Sequence, residues 1–228
     1  MSLNKKSARF KINVMKKNVQ IMLVVASMMF LSVNVFAETK EWKTEVLDNG
    51  KTTIQWSISK DDYGMPVIEY VATSTAKVGI QQLISVLKDA EKHKVFNDDK
   101  DSKTLKALSG NEWIIYYYHA APWPLTDSET VAKMVFAEDA VKKVASFKVN
   151  VDPNIKHPRK KNVNRMAVLD VTYTFKDVGN GNVDITIASK SVAPIKVPGW
   201  IISGMFPDMP ADTINGIVKL ANTNSTVF

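Results

Sequence analysis

Three histidines, His93, His119 and His157, are the side chains of this sequence best suited to binding a metal or transferring protons near neutral pH. They lie far apart along the chain and do not form the HExxH spacing of a helical zinc site. The chain contains no cysteine, which excludes thiolate metal ligands, disulfides and a lipid-modified cysteine anchor. The sequence therefore predicts no metal centre and no other cofactor.

Two residues could act in acid–base chemistry if they point toward a pocket. His119 ends an aromatic segment, and Asp170 lies within an alternating one. A hydrogen-bonded structural role is the competing interpretation of His119. The neighbouring carboxylates Asp61-Asp62 and Asp98-Asp99 fall in turn-like segments, where solvated surface is expected. The sequence has no nucleophile elbow, P-loop or dinucleotide fingerprint, so no particular reaction is predicted.

The net charge of +7 suggests a polyanionic partner, but the distribution of charge along the chain does not support one. Six of the 30 basic residues, and no acidic residue, lie in the first 37 positions. The remaining chain holds 24 basic against 23 acidic residues and is nearly neutral. We therefore expect no nucleic-acid partner.

Residues 1–37 have the pattern of a secretory signal peptide. A basic start at Met15 to Lys17 precedes the apolar segment Ile21 to Val33, and small residues at 35–37 offer a cleavage site. The apolar segment is too short to cross a bilayer comfortably. Met15 is a second candidate for the true start, and an uncleaved membrane anchor is the competing interpretation. We expect a periplasmic or secreted protein with one domain over residues 38–228.

Alternation and helical periodicity predict the elements that must position any site. Strands are predicted at 52–59, 66–73, 104–108, 113–119, 131–136, 140–151, 165–178 and 183–191. A helix is predicted from an N-cap at Thr75 to Ala90, and another from Pro198 to Asn224, interrupted by Pro207 and Pro210. Short connections predict an antiparallel meander whose apolar face is covered by the last helix. The fold class is α+β, with the interior either filled or enclosing a cavity.

The most specific pattern is a strand, a stiff corner and a returning strand between Trp113 and Phe136. Pro122 and Pro124 flank Trp123, which excludes a central strand or a helix there. The segment APWPLTDSETV (121–131) resembles the PWP motif of START domains, the lipid-transfer modules related to the steroidogenic acute regulatory protein. HPRKKNVNRMAVLD (157–170) and IKVPGWIISGMF (195–206) resemble two further family segments in the same order.

This resemblance covers about residues 41–225 and implies a helix-grip fold. In that fold a curved antiparallel sheet wraps around a long C-terminal helix and encloses a hydrophobic cavity. It also implies non-catalytic carriage of a lipid, sterol or fatty-acid-like ligand, with the C-terminal helix or an adjoining loop opening to admit the ligand. We expect a monomer, and we expect transient membrane contact through the basic segment 156–161, for which a solvated loop is the competing interpretation. The alternatives are a cyclase- or hydrolase-like enzyme of the wider superfamily, using His119 or Asp170, and a protein-binding module with a filled core.

The sequence departs from the family at one informative position. Ser128-Glu129 stand where the family motif has Arg-Asp, and serine cannot supply the positive charge that holds a phosphate. We therefore expect a neutral or weakly polar ligand. The predicted ligand-binding residues are Trp113, Tyr117, Ser128, Arg165, Trp200, Ile201, Met205, Ile214 and Val218.

Overall fold

One large sheet of ten strands organises the computed structural model, which describes residues 40–97, 99, 101–121 and 125–223, with only the backbone at Asn49. The strands are β1 (Lys43–Leu47), β2 (Thr52–Lys60), β3 (Pro66–Lys77), β4 (Lys103–Ser109), β5 (Glu112–His119), β6 (Ser128–Asp139), β7 (Val144–Val151), β8 (Asn164–Arg165), β9 (Leu169–Gly179) and β10 (Asn182–Val192). The helices are α1 (Ile80–Lys88), α2 (His93–Phe96), α3 (Gly199–Ser203) and α4 (Asp208–Thr223). The predicted signal peptide and the Pro122–Pro124 corner lie outside the described residues.

The strand order is β1-β2-β3-β10-β9-β7-β6-β5-β4. Every neighbouring pair in this order is antiparallel, whereas the two-residue β8 pairs in parallel with β6. The antiparallel sheet covered by the last helix is confirmed, but a simple meander is wrong. The chain leaves the sheet after β3, forms α1 and α2, and starts again at the far edge, so β3 pairs with the last strand.

Both hairpins with the clearest alternation are confirmed. β2 pairs with β3, and β9 pairs with β10. The turn between β9 and β10 has positive φ angles at Gly179, Asn180 and Gly181. Glycine and asparagine adopt this conformation at low cost, which explains why this sequence reverses direction there.

Two predicted boundaries are wrong. Thr75 does not cap a helix, because β3 continues to Lys77 and the Thr75 hydroxyl lies 2.6 Å from an Asp184 carboxylate oxygen on β10. Helix α1 begins after Gly79 instead. Residues 140–143 form a turn rather than a strand, with Val141 94% exposed. The Asp139 carboxylate accepts the backbone N–H groups of Val141 and Lys142, which stabilises that turn.

One face of the sheet, which we call the inner face, carries the main core. Paired residues on neighbouring strands point to the same side, so rows of register partners cross the sheet. One row contains Trp56, Tyr70, Ser189, Val171, Val149, Met134 and Trp113. The next contains Ile54, Ala72, Ile187, Tyr173, Phe147 and Phe136. On β1, at the edge of the sheet, the register partners of Trp56 and Ile54 are the exposed Lys43 and Glu45. None of the residues that make up the two rows from β2 onward is charged.

Helices cover this inner face. α1 buries Leu83, Ile84 and Leu87 in the main core, and α4 buries Ile214, Ile217 and Ala221. Pro207 separates α3 from α4, as the sequence predicts. Pro210 does not interrupt α4, because it lies in the first turn, where the backbone N–H has no partner within the helix. Within the described ranges no helix has the length and hydrophobicity needed to cross a membrane.

The opposite, outer face carries a smaller core where β5 and β6 meet. Ile114, Tyr116 and Val131 are buried there, and Ile155 packs on them from the loop between β7 and β8. Adjacent residues of β6 therefore face two different environments.

Candidate functional site

Three predicted ligand-binding residues lie on the inner face of β5 and β6. Trp113 lies near the start of β5, in the first transverse row, and packs against the main core. Tyr117 is buried and pairs with Thr130. Ser128 pairs with His119, and strand alternation places both on the same side as Tyr117. The structure thus brings Tyr117 and Ser128 together at one end of the β5–β6 pair, whereas Trp113 lies toward the other end of the same face.

The Tyr117 hydroxyl is already engaged by a buried histidine. His93 Nε2 lies 2.9 Å from the carbonyl oxygen of Leu87, which can only accept, so Nε2 carries the proton. His93 Nδ1 is therefore the acceptor for the Tyr117 hydroxyl at 2.8 Å. Burial lowers the pKa of His93 to about 4, which keeps the ring neutral at pH 7. His93 joins the segment after α1 to the inner face.

His119 also lies on the inner face, whereas Asp170 does not. His119 Nε2 is 3.0 Å from the Thr130 hydroxyl, and burial lowers the pKa of the ring. Asp170 is a register partner of Lys190 and Asn150 on the outer face. The structure does not bring the two acid–base candidates together.

Arg165 lies on the outer face, away from the other predicted residues. Its Nη2 and Nε atoms lie 2.7 and 3.0 Å from Glu129 Oε1. Glu129 is fully buried and also accepts the Tyr116 hydroxyl at 2.9 Å. Burial raises the pKa of the Glu129 carboxyl, but the hydrogen bonds from Arg165 and Tyr116 outweigh it and leave the pKa below its ordinary value. The guanidinium therefore holds the β7–β8 loop against the sheet.

The predicted residues of α3 point outward. Trp200 is 76% exposed, Met205 is 42% exposed and Ile201 is partly exposed. Ile202 and Phe206, one helical turn apart, are the buried members of this segment. The Phe206 ring stacks on Trp56 with centroids 5.5 Å apart and planes 11° apart, and it contacts Tyr70 at 5.9 Å. The helical spacing of Ile202 and Phe206 could have identified Phe206 as a buried residue. The prediction chose Trp200, Ile201 and Met205 instead, which lie on the more exposed side of this short helical segment.

Ile214 and Val218 lie one turn apart on α4 and line an open groove of about 400 Å³. The groove lies between α4 and the far ends of β2 and β3. Its other lining residues are Asp48, Lys51, Thr52, Ser74, Thr75, Ala76 and Asn215. The structure thus brings these two predicted residues together, apart from Trp200 and Met205.

Trp56 carries an unpaired polar atom in the interior. Its side chain is only 7% exposed, and its Nε1 hydrogen-bonds to no acceptor among the described residues. The alternation of Ile54, Trp56 and Ile58 predicts that Trp56 lies on the buried side of a strand, but Trp56 is not among the predicted ligand-binding residues. Tyr70 lies across the predicted hairpin, whereas Phe206 lies far away along the chain, so no local pattern reveals the cluster.

The buried phenol and imidazole groups of the inner face are neutral at pH 7. Burial raises the pKa of Tyr70 to about 12 and raises the pKa values of Tyr117 and Tyr173 above their ordinary value. These phenols keep their protons, and His93 and His119 remain uncharged. Within the described ranges, no group of three or more His, Asp or Glu side chains could hold a metal ion. The arrangement suits contact with an apolar molecule that carries few polar atoms.

Comparison with known proteins identifies the fold. No family model matches the sequence, and no curated protein matches it. A StAR-related lipid transfer protein from Xanthomonas axonopodis superposes with a TM-score of 0.66 at 19% identity, covering 79% of this chain and 98% of that structure. The chain has the START-domain fold.

Two human structures agree with this START-domain assignment. Human StAR-related lipid transfer protein 5 gives a TM-score of 0.68 at 11% identity, covering 92% of this chain and 99% of that one. Human STARD10 gives 0.64 at 17% identity, with 81% and 74% covered. The predicted helix-grip architecture is confirmed. At these identities the likeness concerns the START fold alone.

Proposed function

We propose that this START-like chain binds a hydrophobic small molecule, such as a lipid, sterol or fatty acid, and carries it without chemical change. The observation that supports the proposal best is the inner face itself, whose two central rows are apolar or aromatic apart from Ser189 and carry no charge between β2 and β5. The ligand would lie between this face and the helices that cover it. The names of the structural neighbours, which describe lipid transfer proteins, point the same way.

The driving force would be hydrophobic. Removing apolar ligand surface from water contributes ~25 cal/mol per Å², so a ligand of lipid size needs no ionic contact to bind tightly. An anionic head group would be costly in the buried part of this face, because the cations beside the two rows, Lys43 on β1 and Lys88 over the Phe136 ring, are exposed. Ser128, where the family motif has arginine, supports the same preference for a neutral ligand.

We propose that α3 and α4 form the gate. Phe206 lies between the two helices and contacts Trp56 and Tyr70 on the sheet. Opening would break these ring contacts and expose the first transverse row. Hydrogen–deuterium exchange tests this directly: we expect bound ligand to slow exchange in residues 199–223 more than in the β9–β10 hairpin. Equal slowing in both segments would contradict a local gate.

We propose that α3 also contacts membranes transiently, because Trp200 is highly exposed beside the gate. Tryptophan suits the membrane–water interface, since its ring is apolar and its N–H is polar. Co-sedimentation with phosphatidylcholine vesicles should fall in Trp200→Ser. Tyr63→Ser, which removes an equally exposed aromatic ring from the β2–β3 turn, should leave it unchanged. Similar losses in both variants would contradict a specific role of α3.

Extraction of the purified protein followed by mass spectrometry tests the carrier function. The full chain should be expressed in a bacterium that exports it, and periplasmic and extracellular fractions collected, which also tests the proposed localisation. N-terminal sequencing should begin at Glu38, and light scattering should give a monomer. A reproducible, uncharged apolar molecule in near-stoichiometric amount is expected. Protein that is consistently empty and fails to take up added lipid would refute the proposal.

An enzyme remains the alternative function, because His119 lies on the inner face with a neutral ring that can accept a proton. Incubation with the extracted ligand separates the two functions. Unchanged ligand supports the carrier. Conversion that is lost in His119→Gln supports the enzyme.

A further inference from the structure

The cluster of Trp56, Tyr70 and Phe206 joins the sheet to the gate and contains an unused hydrogen-bond donor. Trp56 lies on the inner face of β2 and pairs with Tyr70 of β3. Phe206 stacks on the indole from the segment between α3 and α4. The indole is therefore held in place from two sides, by a register partner and by a stacked ring.

The indole N–H of Trp56 is a buried hydrogen-bond donor without an acceptor among the described residues. Nε1–H can only donate a hydrogen bond, and buried donors in native proteins nearly always have a partner. Trp56 Nε1 is buried, and no acceptor among the described residues reaches it. The two rings beside it, Phe206 and Tyr70, present mainly apolar surface.

We propose that Trp56 Nε1 donates a hydrogen bond to a neutral oxygen of the bound ligand, such as a ketone, ester or ether oxygen. This inference rests on the proposed function and specifies its ligand: an apolar molecule with an acceptor group at the end of the site next to the gate. A carboxylate or phosphate fits less well, because the charged register partner of Trp56, Lys43 on β1, is exposed at the sheet edge and not buried with the indole.

The position of Trp56 also links recognition to closure. An oxygen bound at Nε1 contacts the indole ring on which Phe206 packs. A ligand that fixes the orientation of the indole therefore also fixes the surface that Phe206 of the gate contacts. A purely apolar ligand of the same length lacks this contact. The site should therefore distinguish molecules that differ by a single acceptor atom.

The probes for the test are 2-decanone and decane, delivered from cyclodextrin and titrated calorimetrically into the full chain. Trp56→Phe keeps an aromatic ring against Phe206 and removes the donor together with part of the indole ring. We expect 2-decanone to bind this variant about tenfold more weakly than the wild type, while decane binds both alike. Trp113→Phe, at the opposite end of the same row, is the matched control, and should change the two affinities by the same factor.

A second measurement does not depend on the folding of any variant. In protein labelled with ¹⁵N-tryptophan, 2-decanone should move the indole proton signal of Trp56 downfield, and decane should not. Equal affinities of 2-decanone for wild type and Trp56→Phe, or an unmoved indole signal at saturation, would overturn the inference while leaving the carrier function intact. Failure of both probes to bind wild-type protein would instead count against the carrier function, and against this inference with it.

Discussion

Arg165 Nη2 lies 2.7 Å from Glu129 Oε1, on the face of β6 opposite the one that carries Ser128. The two adjacent residues, Ser128 and Glu129, therefore serve different purposes. Glu129 holds the β7–β8 loop on the outer face through Arg165, and Ser128 faces the inner side with His119. The Arg165–Glu129 ion pair resembles part of a ligand site, but its position on the outer face makes it a loop anchor.

Replacing Arg165 should destabilise the fold strongly. Arg165→Met leaves the buried Glu129 carboxylate without its cation, and we expect the free energy of unfolding to fall by about 3–5 kcal/mol. Urea denaturation measures this loss. Lys133→Met is the control, because Lys133 of β6 pairs with Glu112 at 3.0 Å in a partly exposed position, where a loss of about 0–1 kcal/mol is expected. Equal losses in the two variants would contradict the anchoring role.

His93 should make the protein less stable as the pH falls below 6.5. The unfolded chain binds a proton at His93 below that pH, whereas the folded protein does so only below about 4. Stability from His93 is therefore complete above pH 6.5 and declines by about 3 kcal/mol between pH 6.5 and 4. The lowered pKa of His119 acts in the same direction.

The matched variant for this prediction is His93→Gln, whose amide can donate to the Leu87 carbonyl and accept the Tyr117 hydroxyl. Urea denaturation at several pH values should give a shallower decline for the variant over this interval, since carboxylates titrate in both proteins. Parallel curves would show that His93 does not titrate as its burial requires.

Gly216 should not tolerate even one additional carbon. A Cβ at this position of α4 would lie 2.8 Å from Phe96 Cβ and 3.1 Å from Phe96 Cα on α2. Gly216→Ala should therefore destabilise the protein by about 1–3 kcal/mol, although alanine favours helices by ~1 kcal/mol. Gly204→Ala is the control, because its Cβ would meet only atoms at 3.5 Å. Thermal unfolding that ranks Gly216→Ala at or above wild type would contradict the close approach of α2 and α4.

Ser128→Arg should alter ligand preference. A positive charge at this position of the inner face is expected to weaken binding of the native neutral ligand at least about tenfold, or to recruit an anionic one. Thr172→Arg adds the same charge to the outer face of β9 and should change neither property. Displacement assays with the extracted ligand and with a fatty acid measure both effects. Unchanged affinities for both would show that position 128 does not contact the ligand.

Local sequence pattern was sufficient to predict the elements that depend on residues close together in the sequence. The β9–β10 hairpin followed from alternation and from Gly179, Asn180 and Gly181, whose types match the required φ angles. Pairing with distant strands was not encoded locally. Thr75 resembles an N-cap, but β10 provides it with Asp184 as a partner and extends β3 past it.

The site was predictable only in part for the same reason. Aromatic and β-branched residues predicted the strand that carries Trp113 and Tyr117 but not which face each occupies, and helical spacing placed Ile214 with Val218. Arg165 reaches the outer face through a two-residue parallel pairing with β6, which no periodicity reveals. The ring contact of Phe206 with Trp56 depends on where a one-turn helix docks, and short helices carry little periodic signal.

The pairing of β3 with β10 has a consequence for how the chain reaches its native state. Residues 67–77 pair with residues 182–192, which come much later in the chain. The N-terminal hairpin therefore has one unpaired edge until nearly the whole domain is available. Contacts of such large sequence separation slow folding, and an open edge can pair with another chain. The sheet is closed last at its middle, between β3 and β10, beside the strand that carries Trp56. A chain that ends before Asn182 is thus expected to aggregate through β3 rather than to persist as a smaller folded domain.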